Sequence, residues 1–210
     1  MVGEGLLHAC IDSPDIERIL VINRKTVGIH HPKLKEIIHP DFSDFSGIEA
    51  ELTGYDVAYL CIGVTSAGKR EKDYTYFTYD LTMALARPLL ALNPEMTICY
   101  VSGMGTDSTE KGRVMWARVK GRTENALLSM GFKDAYMIRP GFIRPLAGAK
   151  NTNKLYTYLG FLIPVFMKFF PRSSSTMETL TQAMIQVGLK GTDKRILEVM
   201  DLKRIAPQID

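Results

Sequence analysis

The chain has 210 residues, of which 46% are apolar and 23% charged, with a formal net charge of +3. These are the proportions of one ordinary globular domain, and they exclude a disordered or fibrous chain. Lysines and arginines are scattered rather than massed, so no nucleic-acid partner is expected.

In chain order, the opening "MVGEGLLHACIDSP" reads as a helix that begins almost at residue 1. Leu6, Leu7 and Cys10 form its apolar stripe, and Ser13-Pro14 marks its end. Four short apolar runs follow: Arg18 to Arg24, Asp56 to Gly63, Thr97 to Gly103 and Asp134 to Gly141. Their near-continuous apolar character suits strands of a parallel sheet covered on both faces. Tyr74 to Leu92 and Val114 to Met130 read as helices between them, which makes the chain α/β. A βαβ unit needs a strand ahead of the opening helix, and none is legible.

Beyond Gly141 the pattern changes. Tyr158 to Met167 is apolar on every face but too short to cross a bilayer as a helix. A buried turn-rich segment, a substrate lid or dimer surface, and shallow membrane contact all remain open for it. Ser173 to Gly191 reads as a helix capped by Thr176 and stopped by Gly191, and Arg195 to Met200 as a last short strand. The expected division is a dinucleotide-binding core over 1–145 and a small C-terminal substrate lobe, with closing helix and strand, over 146–210.

Chemistry concentrates where the strands end. Gly3, one of two glycines at the first helix, resembles the last member of a G-x-x-G-x-x-G fingerprint, whose work is to bring pyrophosphate to helix N–H groups. The start of that motif is not in the chain. Arg24 and Lys25 stand where a binder of unphosphorylated dinucleotide commonly places an acid. They suit a 2′-phosphate or a merely solvated strand end, and NADP is preferred to NAD on that ground. Cys61 and Gly63 end the next strand, where a glycine leaves room for adenosine and ribose. Ser102 is a candidate hydroxyl one strand further on.

Cys10, Cys61 and Cys99 are odd in number and far apart, and His8, His30, His31 and His39 show no ligand spacing, so neither disulfide nor metal is expected. Without a leader pattern at its start, the chain is expected to be cytoplasmic.

The landmarks "MVGEG", "VINR", "CIGVTSAGK", "YVSGMGTD", "WARVKGRTE" and "IRPGFIRP", taken in order, resemble the atypical or extended short-chain dehydrogenase/reductase superfamily, close to its TIP30-like and NAD(P)-dependent epimerase-like oxidoreductases. The resemblance covers about two-thirds of the chain. It implies a Rossmann-type sheet, a dinucleotide across its carboxyl edge, a small-molecule substrate and a homodimer. It also implies a Tyr-x-x-x-Lys pair on the helix that carries Lys120, with Ser102 orienting the substrate oxygen. Pro140 and Gly141, after Arg139, would border the nicotinamide, and Arg144 could meet an anionic substrate or simply face water.

Trp116 occupies the tyrosine position. An indole N–H donates a hydrogen bond but does not shuttle protons near neutral pH. Ser102, Lys120 and Trp116 are therefore the candidate catalytic group, with Lys120 also read as holding the cofactor ribose or as a solvated cation, and Trp116 as packing beside the cofactor, closing the substrate pocket or sitting in the core. They point to an oxidoreductase-like or epimerase-like protein of weak or absent turnover, or alternatively to a non-catalytic NADP(H) sensor or interaction module. Restoring tyrosine at 116 is expected to raise activity.

Overall fold

The computed structural model of the chain describes residues 1–144 and 172–207. The apolar stretch Tyr158 to Met167 lies outside the described residues, as does the rest of the expected substrate lobe up to residue 171.

Helix α1 (Val2–Asp12) carries Glu4 in its first turn, where a carboxylate favours the positive end of the helix. It stops at Ser13, whose extended backbone is what a residue ahead of Pro14 prefers. Strands β1 (Ile19–Asn23) and β2 (Leu34–Ile38) pair in parallel, from Ile19 with Leu34 to Asn23 with Ile38. The second strand was not read from sequence, because "LKEII" mixes charge into a five-residue run.

After a 3₁₀ turn (Ser46–Leu52) come β3 (Val57–Leu60), α2 (Glu71–Thr75), a π turn (Tyr76–Asp80) and α3 (Leu81–Leu92). What reads as one helix from Tyr74 therefore begins earlier and contains a wide turn. β4 (Thr97–Val101), α4 (Met115–Ser129) and β5 (Asp134–Arg139) match their expected positions closely. Two short strands, β6 (Phe142–Arg144) and β7 (Ser174–Thr176), pair with each other.

Helix α5 (Met177–Lys190) starts where expected, with the Thr176 hydroxyl accepting the Thr179 amide hydrogen, and ends at Gly191 with φ +69°. The final expected strand is shorter than Arg195 to Met200. β8 (Ile196–Glu198) gives way at once to α6 (Val199–Ile205), because Glu198 and Asp201 cap that helix reciprocally.

The main sheet runs β3-β4-β5-β8, all parallel, and β1-β2 forms a separate pair. Both lie in one layer, since the same two cores flank them. Leu20 and Ile22 share a core with Ala58, Leu60, Ile98, Tyr100 and residues of α3 and α4. Ile19 shares the opposite core with Tyr59, Cys61, Cys99, α1 and α5.

The strand starts are tied together as well. Arg18 donates to the Gly54 carbonyl at 2.8 Å and lies over the Tyr55 ring, just ahead of β3. The two groups of strands thus run the same way, and among the described residues no strand pairs with the inner edge of β1 or β3. This is a Rossmann-type parallel sheet flanked by helices. Its doubly wound order reserves the position between those edges for the strand that precedes the first helix.

Candidate functional site at the carboxyl rim

Because the strands are parallel, their carboxyl ends share one rim. Cys61 follows β3, Ser102 and Gly103 follow β4, and Arg139 ends β5 ahead of Pro140 and Gly141. The first turn of α1 reaches the same rim, since a Cβ placed on Gly3 would stand 3.3 Å from the Cβ of Cys61. Helix α4 contributes from the side: Lys120 donates through Nζ to the Ser102 carbonyl at 2.5 Å. A Cβ on Gly105 would lie 3.6 Å from the indole of Trp116, so Trp116 packs over the turn after β4.

The fold therefore brings Gly3, Cys61, Ser102, Trp116, Lys120, Arg139, Pro140 and Gly141 to one edge. Arg24 and Lys25 stand in solvent beyond β1. Among the described residues a Cβ on Gly63 or Gly103 would meet nothing within 4 Å, so no described side chain or backbone closes over the chain there. Gly141 differs. A Cβ there would overlap the Ser173 carbonyl oxygen, to which the Phe142 amide donates at 2.8 Å, so its bare backbone serves the close approach of the chain ahead of β7.

The most constrained feature was not read from sequence. Glu124, one helical turn beyond Lys120, is fully buried. It accepts the Ser102 hydroxyl at 2.5 Å on Oε1 and two bonds from Arg139, at 3.0 Å from Nε and 2.5 Å from Nη2. Arg139 extends the network to Glu198 at 3.1 Å and to the Ser108 hydroxyl at 2.6 Å. The bonds to Glu124 hold the arginine more firmly charged than usual. A buried, forked pair of this kind is strong only because every oxygen is engaged.

Sequence did hold a signal for it: Ala117, Gly121 and Glu124 repeat at helical spacing on the buried face of α4. Gly121 belongs to the same construction. A Cβ there would overlap the backbone of Asp107, whose amide donates to the Ala117 carbonyl at 3.0 Å. The loop carrying Ser108 thus rests directly on the helix backbone.

Burial lowers the Lys120 ammonium to about 8, against the opposing pull of Glu124. Burial raises the Cys61 thiol to about 12, so it stays a neutral packing group. Of the described tyrosines, the three on the helix ahead of β4 and the one in β4 offer no free replacement phenol. Tyr74 and Tyr100 are buried and held protonated by desolvation, Tyr76 is exposed, and Tyr79 lies 4.3 Å under Arg122. Two open clefts, of 580 Å³ around Phe45, Tyr76 and Arg87 and of 470 Å³ around His30 and His31, contain none of the rim residues. Among the described residues no group of side chains could hold a metal ion, and no helix is long and apolar enough to cross a membrane.

No protein-family profile matches the chain. It is 28% identical over 208 residues to "Protein fmp52, mitochondrial" of Emericella nidulans, an alignment covering 93% of this chain and 86% of that protein. Among solved structures, the Bordetella bronchiseptica enzyme WbmF in complex with NAD+ superposes with a TM-score of 0.64 at 13% identity, over 97% of this chain and 73% of that one. L-Sorbose reductase of Gluconobacter frateurii, complexed with NADPH and L-sorbose, gives 0.63 at 13% identity, over 90% and 86%.

The fold is that of the NAD(P)-dependent epimerases and short-chain dehydrogenases. One expectation is overturned: fmp52 and its matched fungal counterparts are named mitochondrial proteins, which corrects the cytoplasmic assignment made from the opening residues.

Proposed function

We propose that the protein binds a nicotinamide dinucleotide along the carboxyl rim and acts as an oxidoreductase-like or epimerase-like protein, of the TIP30-like branch, in mitochondria. The observation that carries this reading is the convergence of the α1 first turn, the open backbone at Gly63 and Gly103, and Lys120 on one edge. The residues present fit the group: helix N–H groups beside Gly3 suit a diphosphate, and an ammonium on α4 suits ribose hydroxyls. Bound there, the dinucleotide would supply or accept hydride.

Arg24 and Lys25, exposed just past β1, favour a 2′-phosphate and hence NADP over NAD. Calorimetric titration of the chain with NADPH and NADH tests both parts. Binding is expected to be tighter for NADPH, and equal affinities would remove the preference. No binding of either would remove the reading.

A second reading, a dinucleotide sensor without turnover, is favoured by Trp116. Trp116→Tyr is expected to raise carbonyl reduction roughly 100-fold if the ordinary phenol chemistry is all that is lacking. A variant as silent as the parent would support the sensor.

A further inference from the structure

We propose that Lys120 itself gives and takes the proton at this rim, and that Glu124 is a positioning residue that turns the Ser102 hydroxyl away from substrate. The inference rests on the dinucleotide reading above and deepens it.

Among the described residues, the geometry argues by elimination between the groups near this rim that could hold a transferable proton. Ser102 has one hydroxyl hydrogen, and both acceptors in its reach belong to the protein: buried Glu124 at 2.5 Å and the Ile138 carbonyl at 3.1 Å. Its carbonyl oxygen, not its hydroxyl, is what meets Lys120. Trp116 offers an indole N–H, which does not ionise in this range. Arg139 stays charged and is occupied by Glu124, Glu198 and Ser108. Asp107, in the loop over α4, is held low by the Thr109 hydroxyl and the Gly112 amide. On α2, Glu71 pairs with Arg118, and Tyr74 is buried. Tyr100 is buried, and desolvation holds its phenol protonated.

Lys120 remains. An ammonium carries three N–H bonds, and only one of them, to the Ser102 carbonyl, has a partner among the described residues. Burial brings its proton affinity to about 8, within reach of neutral pH.

The step balances for reduction of an aldehyde or ketone by a dihydronicotinamide. Hydride forms the new C–H bond, and the carbonyl π pair moves to oxygen. An N–H bond of Lys120 breaks, its proton forms the O–H bond, and its electron pair stays on nitrogen. The carbonyl is reduced, the dihydronicotinamide is oxidised to the pyridinium, and the neutral amine takes its next proton from water. Glu124 acts through others: it holds the Ser102 hydroxyl and Arg139, and its charge keeps the nearby ammonium from losing its proton too early.

Trace acylation of lysines across pH, followed by peptide mass spectrometry on the full chain, tests this without cofactor. Lys120 is expected to be half-reactive near pH 8, well below the ordinary lysine value of about 10.4. Glu124→Gln is expected to lower that midpoint further, a shift that a merely structural residue would not produce. A Lys120 midpoint at the ordinary lysine value overturns the proposal.

With NADPH and a panel of aldehydes and ketones, Lys120→Arg keeps the charge but holds its protons, and is expected to lose turnover about 100-fold while still binding NADPH. Ser102→Ala leaves Glu124 paired with Arg139 and is expected to lose no more than about 10-fold. Wild-type turnover in Lys120→Arg, or abolished turnover in Ser102→Ala, overturns the proposal. So does a parent chain that binds NADPH yet reduces no carbonyl in the panel. A chain that binds no dinucleotide overturns the function proposed above instead, and the acylation midpoint still decides the state of Lys120.

Discussion

The two ends of the rim are built on opposite plans. At β4, β5 and β8 the site is closed by a network with a buried centre of Ser102, Glu124 and Arg139, which Glu198 and Ser108 join to Arg139 from its more exposed side. At β1 the equivalent positions, Arg24 and Lys25, stand in water, and no hydrogen bond or ion pair among the described residues fixes them. Rigidity at one end suits a step that depends on sub-ångström placement, whereas loose cations at the other suit long-range attraction of a charged ligand. The same substitution should therefore have different consequences at the two ends.

The largest effect is expected from Glu124→Ala, which strands a buried guanidinium. Loss of one partner from a buried pair destabilises by about 3–5 kcal/mol, read as a lower urea midpoint. A loss under about 1 kcal/mol would show the network to be ornamental. Next comes Gly121→Ala. Its new methyl would overlap the Asp107 backbone, so the loop must lift from α4. We expect about 1–3 kcal/mol of destabilisation by thermal melting, together with a change in fluorescence from Trp116 on the same helix.

At the loose end, Arg24→Ala with Lys25→Ala should leave the melting temperature nearly unchanged, within about 0.5 kcal/mol. It should weaken NADPH about tenfold more than NADH, a difference of about 1.4 kcal/mol. Equal losses for both coenzymes would erase the contrast between the two ends.

The contrast also carries a pH dependence. Burial raises the thiols of Cys10 to about 11 and Cys61 to about 12, and raises that of Cys99 as well. Unfolded, these groups lose their protons from about pH 9 upward while the folded chain keeps them, so stability falls as pH rises above about 9. Lys120 acts with the opposite sign. Its proton leaves the folded chain near 8 but the unfolded chain only near 10.5, so stability gains in that interval. Urea melts between pH 7 and 10.5 should show a shallow rise and then a decline, and Lys120→Met should lack the rise.

Much of the fold was legible because it rests on local patterns. The four apolar runs became β1, β3, β4 and β5, and Thr176 and Gly191 bounded α5 as their chemistry suggests. β2 escaped notice because Lys35 and Glu36 interrupt its apolar run, and α6 because its cap lies inside what reads as a strand.

The site was legible as a set of positions and not as a set of bonds. Strand ends could be placed on one rim from the alternation of elements alone. That Ser102 faces Glu124, or that Gly141 is bare because of Ser173, depends on pairings across 22 and 32 residues respectively, which no local periodicity encodes. A buried acid on a helix otherwise rich in surface charge is the one trace such a network leaves in sequence.

The unpaired inner edges of β1 and β3 bear on motion. Among the described residues the β1–β2 pair shares no backbone ladder with the main sheet and is tied to the rest of the fold by side-chain packing, the Arg18 strut, Lys33 on the end of α1 and the Lys35–Glu51 pair. It should behave as its own opening unit, its amides trading hydrogen with solvent well before those of β4 and β5, and any ligand that grips both Arg24 and Lys120 would act as a clasp that slows that exchange.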